Sequence, residues 1–392
     1  MEIFRDPKFD FLGKKAYFIG ASILVVAASF VSFATQGIKF GIDFRGGADV
    51  QLKFREAPSD QAIRMSLERA GIKGASVQTI GKAEDYEVII RLDSKAGVGA
   101  EPAAEREQAD IAGDVLRALR TEEESARSAG RIDLNIAGET EIRQAVAAVL
   151  GIGREEEAIR VSAAITKARN ERGGLIADIA SVKSLPEVSS NPAVGSWLDS
   201  SAATGRFAIR SVDYVGPAVG SELREKAQFA VVLSLVAMLV YIGFRFHATA
   251  FGVAAIVTLA HDVLVTLGFV SFFQKEFDLT VLAAVLTIVG YSINDTIVIF
   301  DRVRENMRLQ RQQDIETIFN NSINQSLSRT ILTNALVFMV LLSIYFFGGS
   351  RLEPFSFALI VGSISGTYST VYIAAPVVIW WTRRAAKSGA RA

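Results

Sequence analysis

The chain has 392 residues, of which 50% are hydrophobic and only 21% are charged. This composition is more apolar than that of an average soluble enzyme and favours an integral membrane protein. Lysine plus arginine equals aspartate plus glutamate at 42 each, so no excess of positive charge indicates a nucleic-acid partner. The sequence has no cysteine, and its two histidines, His247 and His261, form no ligand cluster, so we expect no metal site and no cofactor.

Six apolar stretches are long enough to cross a bilayer, which takes about 20 mostly apolar residues in a helix. The first could instead be a cleaved signal peptide, because Ser32-Phe33-Ala34 loosely fits a cleavage site, but its length favours a membrane anchor. The predicted spans 1 to 6 are about Ala16–Thr35, Ala227–Phe244, Thr249–Phe273, Leu279–Phe300, Thr330–Phe347 and Phe355–Trp381.

Basic residues gather in the short segments on one side of these spans. The opposite short loops carry only Lys275 and Arg351. The positive-inside rule therefore predicts a cytoplasmic N-terminus (1–15), a cytoplasmic loop (about 301–329) and a cytoplasmic tail (382–392), with residues 36–226 outside. The basic residues are Arg5, Lys8, Lys14, Lys15, Arg302, Arg304, Arg308, Arg311, Arg383, Arg384, Lys387 and Arg391.

The external segment begins with a strand pattern, since Val50, Leu52 and Phe54 alternate with polar residues. A helix start at Pro58-Ser59-Asp60 follows. Further strand patterns lie near residues 75–80, 86–92 and 206–213. Together they predict a small α+β sandwich of ferredoxin type.

A long insert interrupts this external domain at about residues 94–205. It is rich in Ala, Glu and Arg, and has helical periodicity near residues 142–150 and 158–168. We predict helices joined by flexible linker, with solvated charged faces rather than a dedicated binding site.

Ionisable residues inside the later spans are costly, by about 2.5–3.5 kcal/mol at mid-helix, and therefore indicate function. Span 3 carries His261 and Asp262, and span 4 carries Asn294 and Asp295. Asp295 lies about 24 Å along span 4 from its outer end, so a partner should enter from the cytoplasmic side. Arg329, just before span 5, fits that position, and such a pair can exchange a proton as the guanidinium approaches or leaves.

A static polar lock between helices is the alternative interpretation of these residues, with Arg329 as an interfacial charge. His261 equally fits a hydrogen-bonded packing role, whereas Asp262 is the stronger functional candidate. In span 6, Gly362 and Gly366 form a small-residue face for helix packing. The apolar spacing of residues 315–327 predicts an amphipathic helix at the inner membrane surface or a docking segment.

Glycines also mark both connections between the external domain and the membrane part. Gly46 and Gly47 follow span 1, and Gly216 and Pro217 precede span 2. Because glycine permits φ above zero and close backbone approach, we predict hinge or junction roles rather than ligand binding.

Several motifs together resemble the SecF branch of the SecD/SecF family, in the resistance-nodulation-division superfamily. The resemblance covers both ends of the external domain and all spans, and leaves only the insert unmatched. Its motifs are Gly41-Ile42-Asp43-Phe44-Arg45-Gly46-Gly47, Val215-Gly216-Pro217-Ala218-Val219-Gly220, Gly290-Tyr291-Ser292-Ile293-Asn294-Asp295-Thr296, Phe300-Asp301-Arg302-Val303-Arg304-Glu305-Asn306, Ser328-Arg329-Thr330 and Phe347-Gly348-Gly349.

The resemblance implies a six-helix bundle that is half of a resistance-nodulation-division unit, in the bacterial inner membrane, with its large domain in the periplasm. It further implies a non-enzymatic subunit of the Sec translocon that uses the proton-motive force in late export. Its partners would be SecD, SecYEG, YajC, exported preproteins and the lipid bilayer. Asp295 and Arg329 fall on proton-path positions, to which we add Asn294 and Asp262. Asp301, Arg302 and Arg304 form a cytoplasmic motif.

Three other functions stay open on sequence alone. A proton-coupled exporter of lipids or small molecules would also use intramembrane carboxylates, although it usually holds both six-span halves in one chain. An intramembrane aspartyl protease could use Asp262 and Asp295 as acid and base, but its Gly-x-Gly-Asp signature is missing. A structural translocon subunit would conduct no protons.

Overall fold

A computed structural model describes residues 7–81, 83–93, 108–121, 124–126, 129–246, 249–349 and 351–387. His247, Arg5 and Arg391, and the part of the predicted insert at 94–107, lie outside these residues. Contacts divide the chain into two units. The membrane unit comprises residues 1–44 and 222–392, and the external unit comprises residues 45–221.

Among the described residues, six helices are long and apolar enough to cross a membrane, which makes the chain a multi-pass membrane protein. This confirms the six-span prediction. Spans 3, 4 and 6 form the interior of the bundle, because about half of the most apolar window of each is buried, against 17% or less for spans 1, 2 and 5. Spans 1 to 6 are Leu12–Thr35, Pro217–Phe246, Thr249–Phe272, Leu279–Leu309, Ile315–Phe347 and Glu353–Ala385.

The predicted cytoplasmic loop at about 301–329 differs from the structure, since helix continues through most of it. Span 4 extends to Leu309 and span 5 begins at Ile315, where Asp314 accepts a hydrogen bond from the Glu316 amide. The amphipathic segment is the first part of span 5. Its apolar side, with Ile318, Phe319 and Ile323, is buried in the bundle core, which explains the helical spacing without a separate surface helix.

Span 6 contains a widened turn. An α-helix at Glu353–Ser369 and another at Ala375–Lys387 are joined by a π-helical turn at Thr370–Ala374. Pro376, two residues after the turn, has no amide hydrogen to give the carbonyl four residues earlier, so one α-helical hydrogen bond is missing there.

The external unit contains a four-stranded antiparallel sheet. Its strands are β1 Gly47–Phe54, β2 Ser76–Ile80, β3 Glu87–Asp93 and β6 Phe207–Val215, which match the predicted strand regions to within three residues. They lie side by side in the order β2-β3-β1-β6. A β-bulge at Gln51/Leu52 interrupts the pairing of β1 with β6.

Two helices pack on this sheet in the order β-α-β-β-α-β. The helix Asp60–Arg69 begins at Ser59, whose hydroxyl accepts from the Ala62 amide, and buries Ile63 and Leu67. The helix Gln108–Leu119 buries residues 111, 115 and 119 in the same core. That helix was predicted as part of the insert, but its apolar face belongs to the sheet.

The remainder of the insert has a hydrophobic core of its own, formed mainly by the helices Glu139–Leu150, Glu155–Glu171 and Pro192–Ser201. The predicted helical periodicity is confirmed there. A two-stranded parallel pair closes the insert, with β4 at Ile132–Asp133 and β5 at Ala202–Ala203. Asp133 accepts from the amides of Asn135 and Gly205 and from Arg120, which fixes this closure.

Candidate functional site

Asp262 lies at the centre of the bundle and is 0% exposed. Its Oδ2 accepts hydrogen bonds from the hydroxyls of Ser292 (2.6 Å) and Ser369 (2.8 Å). Its Oδ1 accepts from Ser365 (2.6 Å) and lies 3.0 Å from His261 Nδ1. Spans 4 and 6 thus supply three hydroxyls to one carboxylate on span 3.

Close packing of spans 4 and 6 makes this cluster possible. A Cβ at Gly366 would lie 3.1 Å from Ser292 Cβ, and one at Gly362 would lie 2.3 Å from Ile288 Cδ1. The predicted small-residue face therefore points at span 4. The sequence analysis did not identify the serines. Ser365 and Ser369 are four residues apart, like Gly362 and Gly366, and both donate hydrogen bonds to Asp262.

Asp295 belongs to a second polar cluster, one turn from the first along span 4. It is 7% exposed, and its Oδ2 accepts from Asn334 Nδ2 at 2.8 Å. Asn334 on span 5 also lies 2.7 Å from Thr367 Oγ1 and accepts from the Tyr291 hydroxyl. A single amide thus joins spans 4, 5 and 6 around this carboxylate. Among described residues, Asp295 has fewer donors than Asp262.

Arg329 and Asn294 are placed differently from Asp295. The Arg329 side chain is exposed and acts on Asp295 electrostatically, but the two side chains, both within the described residues, form no ion pair. Asn294 is exposed at the surface of the helix bundle. Asn334 therefore occupies the place beside Asp295 that the sequence assigned to Arg329.

His261 faces a groove on the side of the bundle. Its Nδ1 is tied to Asp262, and its buried Nε2 has no hydrogen-bond partner among the described residues. The ring also lies 6.3 Å, between centroids, from Tyr368. A packing role and a proton-exchanging role both fit this placement.

The motif at the end of span 4 connects three spans. Asp301 forms an ion pair with Arg245 at the end of span 2, and lies 4.0 Å from Arg304. Arg302 donates to Gln325 on span 5 at 2.6 Å and contacts Glu305 at 2.6 Å. These contacts fix the ends of spans 2, 4 and 5 relative to one another.

Of the predicted junction residues, Gly46 packs closely on Pro217 within the external unit, and Gly220 also approaches Gly46. Gly46 has φ +71° and Gly47 has φ +133°, which L side chains rarely adopt. A Cβ at Gly46 would lie 2.9 Å from Pro217 Cα, and one at Gly220 would lie 2.9 Å from the Gly46 nitrogen. Gly216 needs no special φ. The hinge role stays a prediction, whereas close backbone approach is present.

Chemically, the two clusters offer different possibilities. The oxygens of Asp262 are saturated by hydroxyl and imidazole groups, which suits a permanent link between helices. Asp295 accepts fewer hydrogen bonds than Asp262 and is slightly more exposed to solvent, which suits a group that gains and loses a proton. No group of three potential metal-ligating side chains occurs in the described part of the chain.

Comparisons with known proteins agree on one family. The family described as "Protein export membrane protein SecD/SecF, C-terminal" matches residues 198–384, and the "SecD/SecF GG Motif" matches residues 31–58. Among curated relatives, the protein translocase subunit SecF of Koribacter versatilis is 38% identical over 97% of this chain and 93% of its own length. The SecF of Pseudomonas aeruginosa is 33% identical over 95% and 90%.

Solved structures show the same likeness. The translocon-associated membrane protein SecDF from Thermus thermophilus has a TM-score of 0.64 and 28% identity, covering 97% of this chain. A SecDF structure in a super-membrane-facing form has a TM-score of 0.55, with 98% of this chain covered. The chain spans 39% and 40% of the length of these SecDF chains.

Proposed function

The chain belongs to the SecD/SecF family of protein-export membrane proteins, and we propose that it couples the proton-motive force to late steps of Sec-dependent export. It acts in the bacterial inner membrane, with both termini cytoplasmic and the external unit in the periplasm. Its role is mechanical rather than enzymatic. SecD is its direct partner, and SecYEG, YajC and the exported preprotein are its wider assembly.

One observation carries the coupling proposal: Asp295 is buried in the membrane, with Asn334 as its direct partner and Arg329 nearby but unpaired with it. A carboxylate inside a bilayer is costly and persists where it has a role. Movement of Arg329 toward Asp295 would favour the ionised carboxylate and displace Asn334. Because Asn334 also contacts Thr367 on span 6, a change in protonation would be transmitted to span 6.

The length of the SecDF relatives supports the partnership with SecD. This chain matches about two fifths of SecDF, and SecDF is one chain whose name joins both subunits. In our proposal a separate SecD supplies the missing half. The strand order β2-β3-β1-β6 with two helices supports the ferredoxin-like assignment of the external unit.

A reconstitution tests the coupling. The chain is placed with its SecD partner and SecYEG in proton-tight vesicles, a proton gradient is imposed, and late preprotein release is timed. Asp295→Asn keeps the side-chain shape and removes the titrating proton, so gradient-dependent release should fall to the level seen without a gradient. Arg329→Ala should do the same, because the approaching charge is lost.

Asp262→Asn is the matched control, since it makes the same chemical change in the neighbouring cluster, where the carboxylate is saturated. It should retain at least part of the gradient-dependent release. Assembly with SecD is measured for every variant by co-purification. Gradient-dependent release that is unchanged in both Asp295→Asn and Arg329→Ala would rule out this proton path.

A structural, non-conducting subunit is the second candidate, favoured by the saturated partners of Asp262. In that case the Asp295 and Asp262 variants would lose assembly and coupling together. Loss of coupling with intact assembly in Asp295→Asn alone would separate the two functions.

A further inference from the structure

A groove runs along the outside of the membrane unit between spans 1, 3 and 6. It is lined by apolar residues of span 1 from Ile19 to Phe30 and by Val377 and Trp380 of span 6, and it has a volume of about 650 Å³. The polar side chains in its wall, Ser22 and His261, are hydrogen-bonded to Tyr368 and Asp262 inside the bundle. The groove therefore presents a mainly apolar surface.

The length of the groove matches one leaflet of a bilayer. From Ile19 to Phe30, span 1 rises about 16 Å at 1.5 Å per residue. The hydrocarbon region of one leaflet is about 15 Å deep, half of the total of about 30 Å. The groove is thus about as long as one acyl chain of a bilayer lipid.

A basic cleft continues the groove at the end of the bundle that carries both chain termini. The two share Ile19, Pro376 and Trp380, so one leads into the other without a break. The cleft has a volume of about 490 Å³ and is lined by four cationic side chains and Glu316. The cations are Lys15, Arg383, Arg384 and Lys387.

The cations of the cleft fall into two pairs. Lys15 and Arg383 are paired with acidic side chains. Their nitrogens lie 2.5 Å and 2.7 Å from Glu316, and Arg383 also lies 3.5 Å from Asp314. Arg384 and Lys387 are exposed and form no ion pair with a described carboxylate. Arg384 is held over the Trp380 ring, 5.3 Å from its centroid, at the point where the groove and cleft meet.

We propose that the groove and the basic cleft form one site for an anionic phospholipid. The acyl chain lies along span 1 between Ile19 and Phe30, and the phosphate contacts Arg384 and Lys387. Basic clefts between membrane helices bind anionic headgroups in this way, and a tryptophan commonly marks the boundary between headgroup and acyl regions. The site is separate from the Asp295 cluster and does not depend on the proposed proton path.

Trp380 can report occupancy of this site. The chain has three tryptophans, so Trp197→Phe with Trp381→Phe leaves Trp380 as the only one. The full chain in this background is placed in vesicles of phosphatidylethanolamine containing equal fractions of acyl-brominated phosphatidylglycerol or brominated phosphatidylethanolamine. Bromine quenches nearby tryptophan fluorescence, so we expect stronger quenching by the anionic lipid.

Two pairs of variants test the two parts of the site. Arg384→Gln with Lys387→Gln should lower the preference for phosphatidylglycerol by up to about 25-fold, because each basic residue near an anionic lipid contributes about fivefold. Arg308→Gln with Arg311→Gln removes the same charge elsewhere among the predicted cytoplasmic residues and should leave the preference intact. Ala27→Phe fills the groove and should reduce quenching, whereas Ala28→Phe, outside the lining, should not.

Each contrary outcome overturns the proposal. Equal quenching by both lipids in the reporter background would show no anionic site. An equal loss in the Arg308/Arg311 pair would show general attraction to surface charge, and no effect of Ala27→Phe would show that the groove is not occupied by an acyl chain. Weak quenching by both lipids would indicate a protein segment in the groove.

Discussion

The contact of Gly362 with Ile288 gives a sharp prediction about what holds the bundle together. An alanine Cβ at 362 would lie 2.3 Å from Ile288 Cδ1 and 2.5 Å from Cγ1, well inside the usual carbon contact of about 3.5–4.0 Å. Overpacking of this kind costs about 1–3 kcal/mol, while alanine gains about 1 kcal/mol in helix propensity over glycine. We expect Gly362→Ala to lower the free energy of unfolding by up to about 2 kcal/mol.

Reversible unfolding in mixed micelles, followed by circular dichroism, measures this change. Gly290→Ala on span 4 is the matched control, because a Cβ there meets nothing within 4 Å. It should be neutral or slightly stabilising. Combined with Ile288→Ala, the Gly362→Ala change should lose its cost, giving a coupling energy of at least about 1 kcal/mol in the double-mutant cycle. Equal stability of Gly362→Ala and Gly290→Ala would refute the packing argument.

Three further changes probe other parts of the chain. Asp262→Ala leaves three serine hydroxyls without their acceptor and should lower the free energy of unfolding by about 2 kcal/mol, at about 0.6 kcal/mol for each lost membrane hydrogen bond; an unchanged unfolding curve would contradict the lock. Asp133→Ala leaves two backbone amides in the insert without an acceptor and should lower the stability of the insert by about 2–4 kcal/mol. Limited proteolysis should then cleave the insert faster while the membrane helices stay intact. Ile152 is 108% exposed in the loop between two insert helices, so Ile152→Ser should change the free energy of unfolding by less than about 0.5 kcal/mol in thermal unfolding. A larger loss would mean that this side chain is buried against another surface.

Hydropathy and periodicity predicted most of the architecture. The six spans, the four sheet strands and the two main insert helices follow from local patterns, because lipid and a sheet core each demand a fixed repeat of apolar residues. Span 5 begins earlier than predicted, because residues 315–327 include many polar side chains and therefore have low hydropathy. Several of these side chains form hydrogen bonds within the protein. Asn324, for example, pairs with the backbone of Phe9.

The candidate site was predicted less completely. The cost of a buried charge singled out Asp262 and Asp295, but the identity of their partners depends on helix rotation and crossing, which no single span encodes. Ser365 contacts Asp262 across a sequence separation of 103 residues, and Asn334 rather than Arg329 contacts Asp295. A serine in a membrane helix is too common to be singled out by type alone.

The π-turn at Thr370–Ala374 has a consequence for how sequences of this kind can change. Such a turn holds one residue more than an α-turn, so deleting one residue there would restore a regular helix. Because the wide turn absorbs its extra residue, Trp380 and Arg384 would keep their azimuth around span 6 after that deletion, as would the serines that bind Asp262. The same deletion within the regular helix Ala375–Lys387 would instead turn every residue beyond it by about 100° around the helix axis, at 3.6 residues per turn.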